Sequence, residues 1–273
     1  MILVTAAGGR TGRAVVAALA SAGHEVRALR RTGEAVEGAT ETVAGDAGDL
    51  SPHLDGVGAV YFIWPNFVPG EAEAMSRTIT TCHDRGVQRI VHHSVLRPNL
   101  EAMPHHWAKM RAEERLFESG LAHVVLEPGA YMQNIDLHLA REQGVYPCAW
   151  GERVSQSLVD LADVAEVAAR ACVDERLLGG CYELVGPESL TAADVAAALS
   201  AAVGRPVNPV DVGSEGWARA AADAGLDEHA IDCGVRMAAH YRRHGVSGSA
   251  VGVVALLARP ATTLTRHLDT VTG

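Results

Sequence analysis

Through the first half of the chain, short β-branched apolar runs alternate with Ala-rich stretches whose apolar positions recur at helical spacing. The runs predict strands over 2–5, 25–29, 40–44, 58–63, 89–94 and 122–126, with helices between them over 11–22, 70–85 and 105–118. Parallel strands joined by crossover helices produce this alternation. The last helix is the best punctuated, since Pro104 suits a first turn and Ser119-Gly120 a C-terminal stop. The expected fold class is therefore α/β, a doubly wound parallel sheet.

After about residue 130 the rhythm changes. Helices are predicted over 131–140, 161–173, 191–203, 214–224, 227–243 and 262–271, with short strands only near 156–159 and 181–185. This divides the chain into a first domain over 1–155, to which 156–182 returns, and a smaller, mostly helical C-terminal lobe over 183–273 that also uses 131–154. Asp160 and Thr191 stand just before apolar-periodic stretches with Asp163 and Asp194 three residues on, a capping-box arrangement with Asp in place of Glu.

Charge narrows the partners. Across 273 residues, 23 basic against 33 acidic side chains give a formal charge of −10, a mean field that repels a phosphate backbone, so nucleic acid is not an expected partner. Five cysteines, Cys82, Cys148, Cys172, Cys181 and Cys233, show no C-x-x-C spacing and suit unpaired thiols in the cytoplasm. The opening strand Met1–Val4 does not read as a signal peptide, and the run Val251–Ala258 is far shorter than the roughly 20 residues of a membrane span, so no membrane partner is expected. Histidine is abundant, with doublets at His92-His93 and His105-His106 and a His240-x-x-x-His244 pair. No carboxylate or cysteine stands beside them at ligand spacing, and no metal is expected. A monomer or homodimer is anticipated.

The first predicted strand runs into Thr5-Ala6-Ala7-Gly8-Gly9-Arg10-Thr11-Gly12 and then a helix. Glycines there let backbone approach a pyrophosphate, and the helix N-terminus favours its charge. At the end of the second strand, where an NAD-specific site carries a carboxylate for the ribose 2′-hydroxyl, this chain has Arg30 and Arg31. Paired guanidiniums suit a 2′-phosphate, which favours NADP(H) over NAD(H).

From here the chain resembles the NmrA-like branch of the atypical short-chain dehydrogenases/reductases, over nearly its whole length. Ala6-x-x-Gly9-x-x-Gly12 matches the family's Gly-x-x-Gly-x-x-Gly turn, with Ala6 replacing the first glycine and Gly8 placed to compensate. Gly45-Asp46, Ile63-Trp64-Pro65, the strand Arg89–Ser94, the stretch Leu126-Glu127-Pro128-Gly129-Ala130-Tyr131-Met132-Gln133-Asn134, and later Asp160–Ala165 and Tyr182–Pro187 are similar to further family signatures, with Glu127 standing where the family has arginine. The resemblance implies a Rossmann fold. It also implies a cofactor site of Thr5, Gly8, Gly9, Arg10, Thr11, Gly12, Arg30, Arg31, Asp46 at the adenine, Ile63, Trp64 and Pro65 beside the nicotinamide ribose, Ser94, Lys109 and Pro128.

Of the 23 basic residues, 22 are arginine and one is lysine, Lys109. Where arginine serves every generic need, a lone lysine suggests a task for a compact ammonium. Its place on helix 105–118 matches the family lysine that bonds the nicotinamide ribose and assists proton transfer. The related Tyr-x-x-x-Lys motif supplies a tyrosine acid, but here His105 occupies that position. Two readings follow: His105 is the acid, or there is no side-chain acid. Ser94 is a further candidate facing the nicotinamide. Aromatic residues after strand ends, including Phe67, Trp107, Tyr131 and Trp150, together with Asn134, form a candidate surface for a flat substrate. The expectation is an NADPH-dependent oxidoreductase that transfers hydride to a quinone, enone or aromatic ketone. The alternatives are a redox sensor that binds the dinucleotide without turning it over, or a non-redox biosynthetic enzyme on the same scaffold.

Overall fold

The computed structural model describes residues 1–272. It bears out the α/β reading. Strands β1 (Ile2–Val4), β2 (Val26–Arg30), β3 (Glu41–Ala44), β4 (Ala59–Phe62), β5 (Arg89–His93) and β6 (Ala122–Pro128) fall within a residue or two of prediction. With β8 (Cys181–Leu184) they form a seven-stranded sheet in the order β3-β2-β1-β4-β5-β6-β8. The β1–β2, β1–β4, β2–β3, β4–β5 and β5–β6 pairs are all parallel. The order reverses beside β1, where β2 and β4 flank it, and in such sheets ligands bind at the C-terminal strand ends next to that reversal.

Helices α1 (Arg10–Ser21), α2 (Glu71–Arg85), α3 (Pro104–Phe117) and α5 (Leu161–Ala171) follow the strands. Leu3, Val60, Phe62 and Ile90 of the sheet meet Met75 and Cys82 of α2 and Ala112 and Leu116 of α3 in one buried core. Strand interiors that are buried at every position, as in β4, explain why these runs read as continuous apolar stretches.

Two compact units emerge. The first comprises 1–99, 105–128 and 162–182, and the second 100–104, 129–161 and 183–273. The chain thus returns to the first unit at 162 rather than at 156.

In the second unit, α4 (Leu137–Gln143), α6 (Ala192–Val203) and α10 (Leu264–Thr272) enclose a core of Ala140, Val195, Leu199, Leu264 and Leu268. The helix predicted over 131–140 is two pieces. A 3-10 turn covers Met132–Asn134, and Asp136 then caps α4 by accepting from the Leu139 N–H. No strand forms over 156–159; those residues make isolated bridges to Tyr131, Leu190 and Val246. A parallel pair absent from the prediction, β7 (Val145–Cys148) with β9 (Asn208–Asp211), lies here instead. Thr191 and Asp194 form the expected capping box of α6. Helices α7 (Gly213–Asp223) and α8 (Glu228–His244) pack where Gly234 leaves room for the Trp217 ring, with which any Cβ would collide. The apolar run at 251 coils into a short helix, α9 (Val251–Leu257). No described helix is long and apolar enough to cross a membrane.

Candidate active site

The turn after β1 is shaped by close approach. At Gly12, a Cβ would stand 2.6 Å from the Ala7 Cα, so only hydrogen fits where α1 leaves the turn. Gly9 caps α1 in extended conformation with no side-chain hydrogen bond, and the Arg13 guanidinium of α1 donates back to the Gly8 carbonyl. Ala6 adopts the left-handed region itself, at φ 48°, at a cost of about 1 kcal/mol. Gly8 stays outside that region, so the compensation expected of it does not occur. What Gly8 does is admit Arg30, whose Nε would lie 3.0 Å from a Cβ there. Arg30 is tied to Glu34 at 2.6 Å, whereas Arg31 is exposed. These features, a close-packed glycine turn feeding a helix and guanidiniums at the end of β2, fit a dinucleotide phosphate group.

Thr5 is buried and works as a staple: its Oγ1 donates to the Ile63 carbonyl at 2.8 Å and accepts from the Ile63 N–H at 2.7 Å. It thereby fixes the ends of β1 and β4 to each other on either side of the sheet's reversal. Asp46 is exposed, and its Oδ1 accepts from the Gly48 N–H. Trp64 lies nearly parallel to Phe62 and donates to the Val68 carbonyl. Phe67, at φ 61°, is another non-glycine residue in the left-handed region, and its ring stands edge-on to His105 with centroids 4.8 Å apart. Pro128 is buried and accepts from the Leu96 N–H.

Most of the buried charge of the first unit gathers between β5, α2 and α3. Alternation along β5 puts His92 and, just past the strand, Ser94 on one side and His93 on the other. Spacing of four along α3 aligns His105, Lys109 and Glu113. Lys109 is 5 % exposed and Glu71, in the first turn of α2, 4 %. The Lys109 ammonium donates to Glu71 Oε1 at 2.9 Å and Oε2 at 3.2 Å, with the His93 carbonyl at 3.4 Å. His92 donates from Nε2 to Glu71 Oε1 at 3.0 Å. Burial pushes the Glu71 carboxyl up, but the Lys109 charge and the His92 hydrogen bond outweigh it and hold the group below its ordinary range. Ser94 donates to Glu113, a carboxyl that burial raises. His93 is pushed down to about 3 by burial and by Lys109, and the Nδ1 of its neutral ring shares a hydrogen bond with the Tyr61 hydroxyl at 2.6 Å.

His105 is also pushed down to about 3, by burial first and then by His106 and Lys109. At neutral pH it is an uncharged imidazole whose buried Nδ1 makes no hydrogen bond. An acid with a pKa near 6.5, the basis of its expected role, is not what this environment provides.

The structure therefore gathers Ser94, His105 and Lys109 into one region of the first unit, with Phe67 against His105 and the half-buried Trp107 on the same helix. Tyr131, Asn134 and Trp150 belong to the second unit, where Trp150 stands edge-on to Tyr241 at 6.4 Å. Glu71, His92 and Glu113 were not anticipated. Only Glu113 left a trace in the sequence, four residues after Lys109 on the same helix face.

With this geometry in view, the comparisons are specific. A family described as NAD(P)H-binding matches residues 6–175. An NAD(P)H azoreductase of Xenophilus azovorans is 32% identical over 246 residues, 85% of this chain and 84% of the relative. The solved structure of an NADPH-dependent quinone oxidoreductase from Escherichia coli, complexed with NADPH, superimposes with a TM-score of 0.85 at 24% identity and covers 100% of both chains. That of NmrA, a negative transcriptional regulator in complex with NADP, gives 0.79 at 17% identity over 99% of this chain and 95% of the other. The resemblance drawn from the motifs is borne out.

Proposed function

Because the chain belongs to the NAD(P)H-binding family, we propose that it is a reductase that uses NADPH in preference to NADH and acts on a flat, conjugated acceptor such as a quinone, enone, aromatic ketone or azo compound. The observation that carries this reading is the single lysine of the sequence, buried on α3 and held by a carboxylate, in a unit whose first turn is close-packed on glycine. NADPH supplies a hydride when bound. The Gly9–Gly12 turn and the end of α1 receive its pyrophosphate, while Arg31, with Arg30 once Glu34 releases it, binds the 2′-phosphate. Asp46 meets the adenine. Lys109 donates to the nicotinamide ribose hydroxyls and sets positive charge beside the region where the acceptor becomes anionic. Neutral His105 orients Phe67 rather than delivering a proton, so the one proton that accompanies the hydride comes from Lys109 or from water. Phe67 and Trp107 offer apolar ring surface to a planar acceptor. All five cysteines are free, which suits the cytoplasm.

The test is the rate of NADPH absorbance loss with purified protein over a panel of quinones, enones, aromatic ketones and azo dyes. Turnover above the enzyme-free blank, with NADH slower, is expected. Tight NADPH binding with silence across the panel would favour the sensor reading, to which the lack of a charged imidazole at position 105 also points.

A further inference from the structure

Glu71 presents a puzzle that helix formation does not solve. An acid in the first turn of α2 favours the helix dipole, but Glu73, exposed in the same turn, serves that purpose without leaving water. Glu71 is buried instead, in a helix whose other buried positions are Ala74, Met75, Thr78 and Cys82. Taking a carboxylate out of water is unfavourable unless its lone pairs are engaged. Here they are: both oxygens face Lys109, and Oε1 also accepts from His92.

The ammonium has three donors. Two are directed at Glu71, and the third meets only the His93 carbonyl at 3.4 Å. Glu71 thus fixes two corners of the ammonium and leaves one loosely held, the arrangement expected of a cation that must present a donor in one direction. The other titratable groups around Lys109 are His92 and His93 of β5 and His105 and Glu113 of α3. The two imidazoles held neutral, His93 and His105, offer the ammonium no counter-charge, and Glu113 is already bonded to Ser94.

We propose that Glu71, braced by His92, is the positioning residue for Lys109: it fixes two donors of the ammonium and aims the loosely held third at the cofactor ribose. This rests on the reading of Lys109 as a cofactor-binding group.

The experiment uses the full chain as wild type, Glu71→Gln, Glu71→Asp, Lys109→Met and the double variant, with NADPH affinity by fluorescence titration from pH 6 to pH 9 and turnover with p-benzoquinone. Glu71→Gln should lose about tenfold in affinity throughout this range, a loss that Glu71→Asp, which keeps the carboxylate, does not show, and the double variant should match Lys109→Met in turnover. Should Glu71→Gln not fold, the double variant, which leaves no unpaired charge, still carries the test: a further tenfold loss relative to Lys109→Met overturns the proposal. It is also overturned if Glu71→Gln keeps the wild-type affinity while Lys109→Met has lost binding and turnover. If Lys109→Met is itself unimpaired, the reading of Lys109 fails along with it.

Discussion

In the first unit an ammonium, a carboxylate and an imidazole meet side chain to side chain; in the second an amide, a carboxylate and an imidazole meet around a backbone group. There, Gln133 Nε2 donates to Asp160 Oδ1 at 2.9 Å, Gln133 Oε1 accepts from the Leu161 N–H at 3.0 Å, and His267 Nδ1 lies 2.9 Å from Asp160 Oδ2. This network joins the 3-10 turn, the start of α5 and α10, so every member has a structural task. The Glu71–Lys109–His92 network engages the backbone only through the long contact to the His93 carbonyl. Glu71, Lys109 and His92 are more fully hidden from water than Gln133, and each network links three elements; what sets the first apart is an ammonium whose third donor is only loosely held. Burial alone does not mark a functional site; a buried cation with a donor only loosely engaged does.

This contrast can be broken most forcefully at its centre. Lys109→Met should reduce turnover about 100-fold, the scale on which a positioned donor acts, as read from initial rates at saturating NADPH. His267→Ala should instead leave turnover within about twofold and lower the urea midpoint of unfolding, costing roughly 2 kcal/mol for the lost hydrogen bond between His267 and Asp160. A variant that reversed these two signatures would dissolve the distinction. A smaller effect lies outside both networks. Arg31→Asp should weaken NADPH binding about tenfold, the equivalent of one charge-assisted hydrogen bond, and NADH binding much less; equal losses would remove the 2′-phosphate assignment. The remaining effect concerns acid. His93 and His105 are held neutral with folded pKa values of about 3, so between there and the ordinary 6.5 the unfolded chain binds more protons. The stability they contribute is complete above about 6.5 and is lost as pH falls toward 3. His105→Gln should flatten that decline in thermal melts taken from pH 7 to pH 4.

Of the six strands from β1 to β6, buried ones such as β1 and β4 were legible as apolar runs between turn signals, whereas β3, which has no buried residue, was legible from its β-branched Thr42-Val43 between Gly38 and Gly45. The β7–β9 pair was not: each strand has four residues, each contains a proline, Pro147 or Pro209, and their pairing spans some sixty positions. The break within 131–140 turns on Asp136, whose short polar side chain suits a cap better than a helix interior. Within the candidate site, Lys109 stood out by composition and the glycine turn by spacing. Glu71 could not, since a glutamate in a first helical turn is ordinary and its partners lie 21 and 38 residues away. His105 was found in place but not in character, because desolvation depends on the neighbours that folding supplies.

The lone buried lysine has one more consequence. A chain with 22 arginines and a single lysine offers amine-directed reagents one side-chain target, and that target is clamped by Glu71. An acylating ester would modify Lys109 only in molecules where the α2–α3 region has opened. The rate of that modification, followed by intact mass, is therefore a built-in gauge of local breathing, requiring no engineered label.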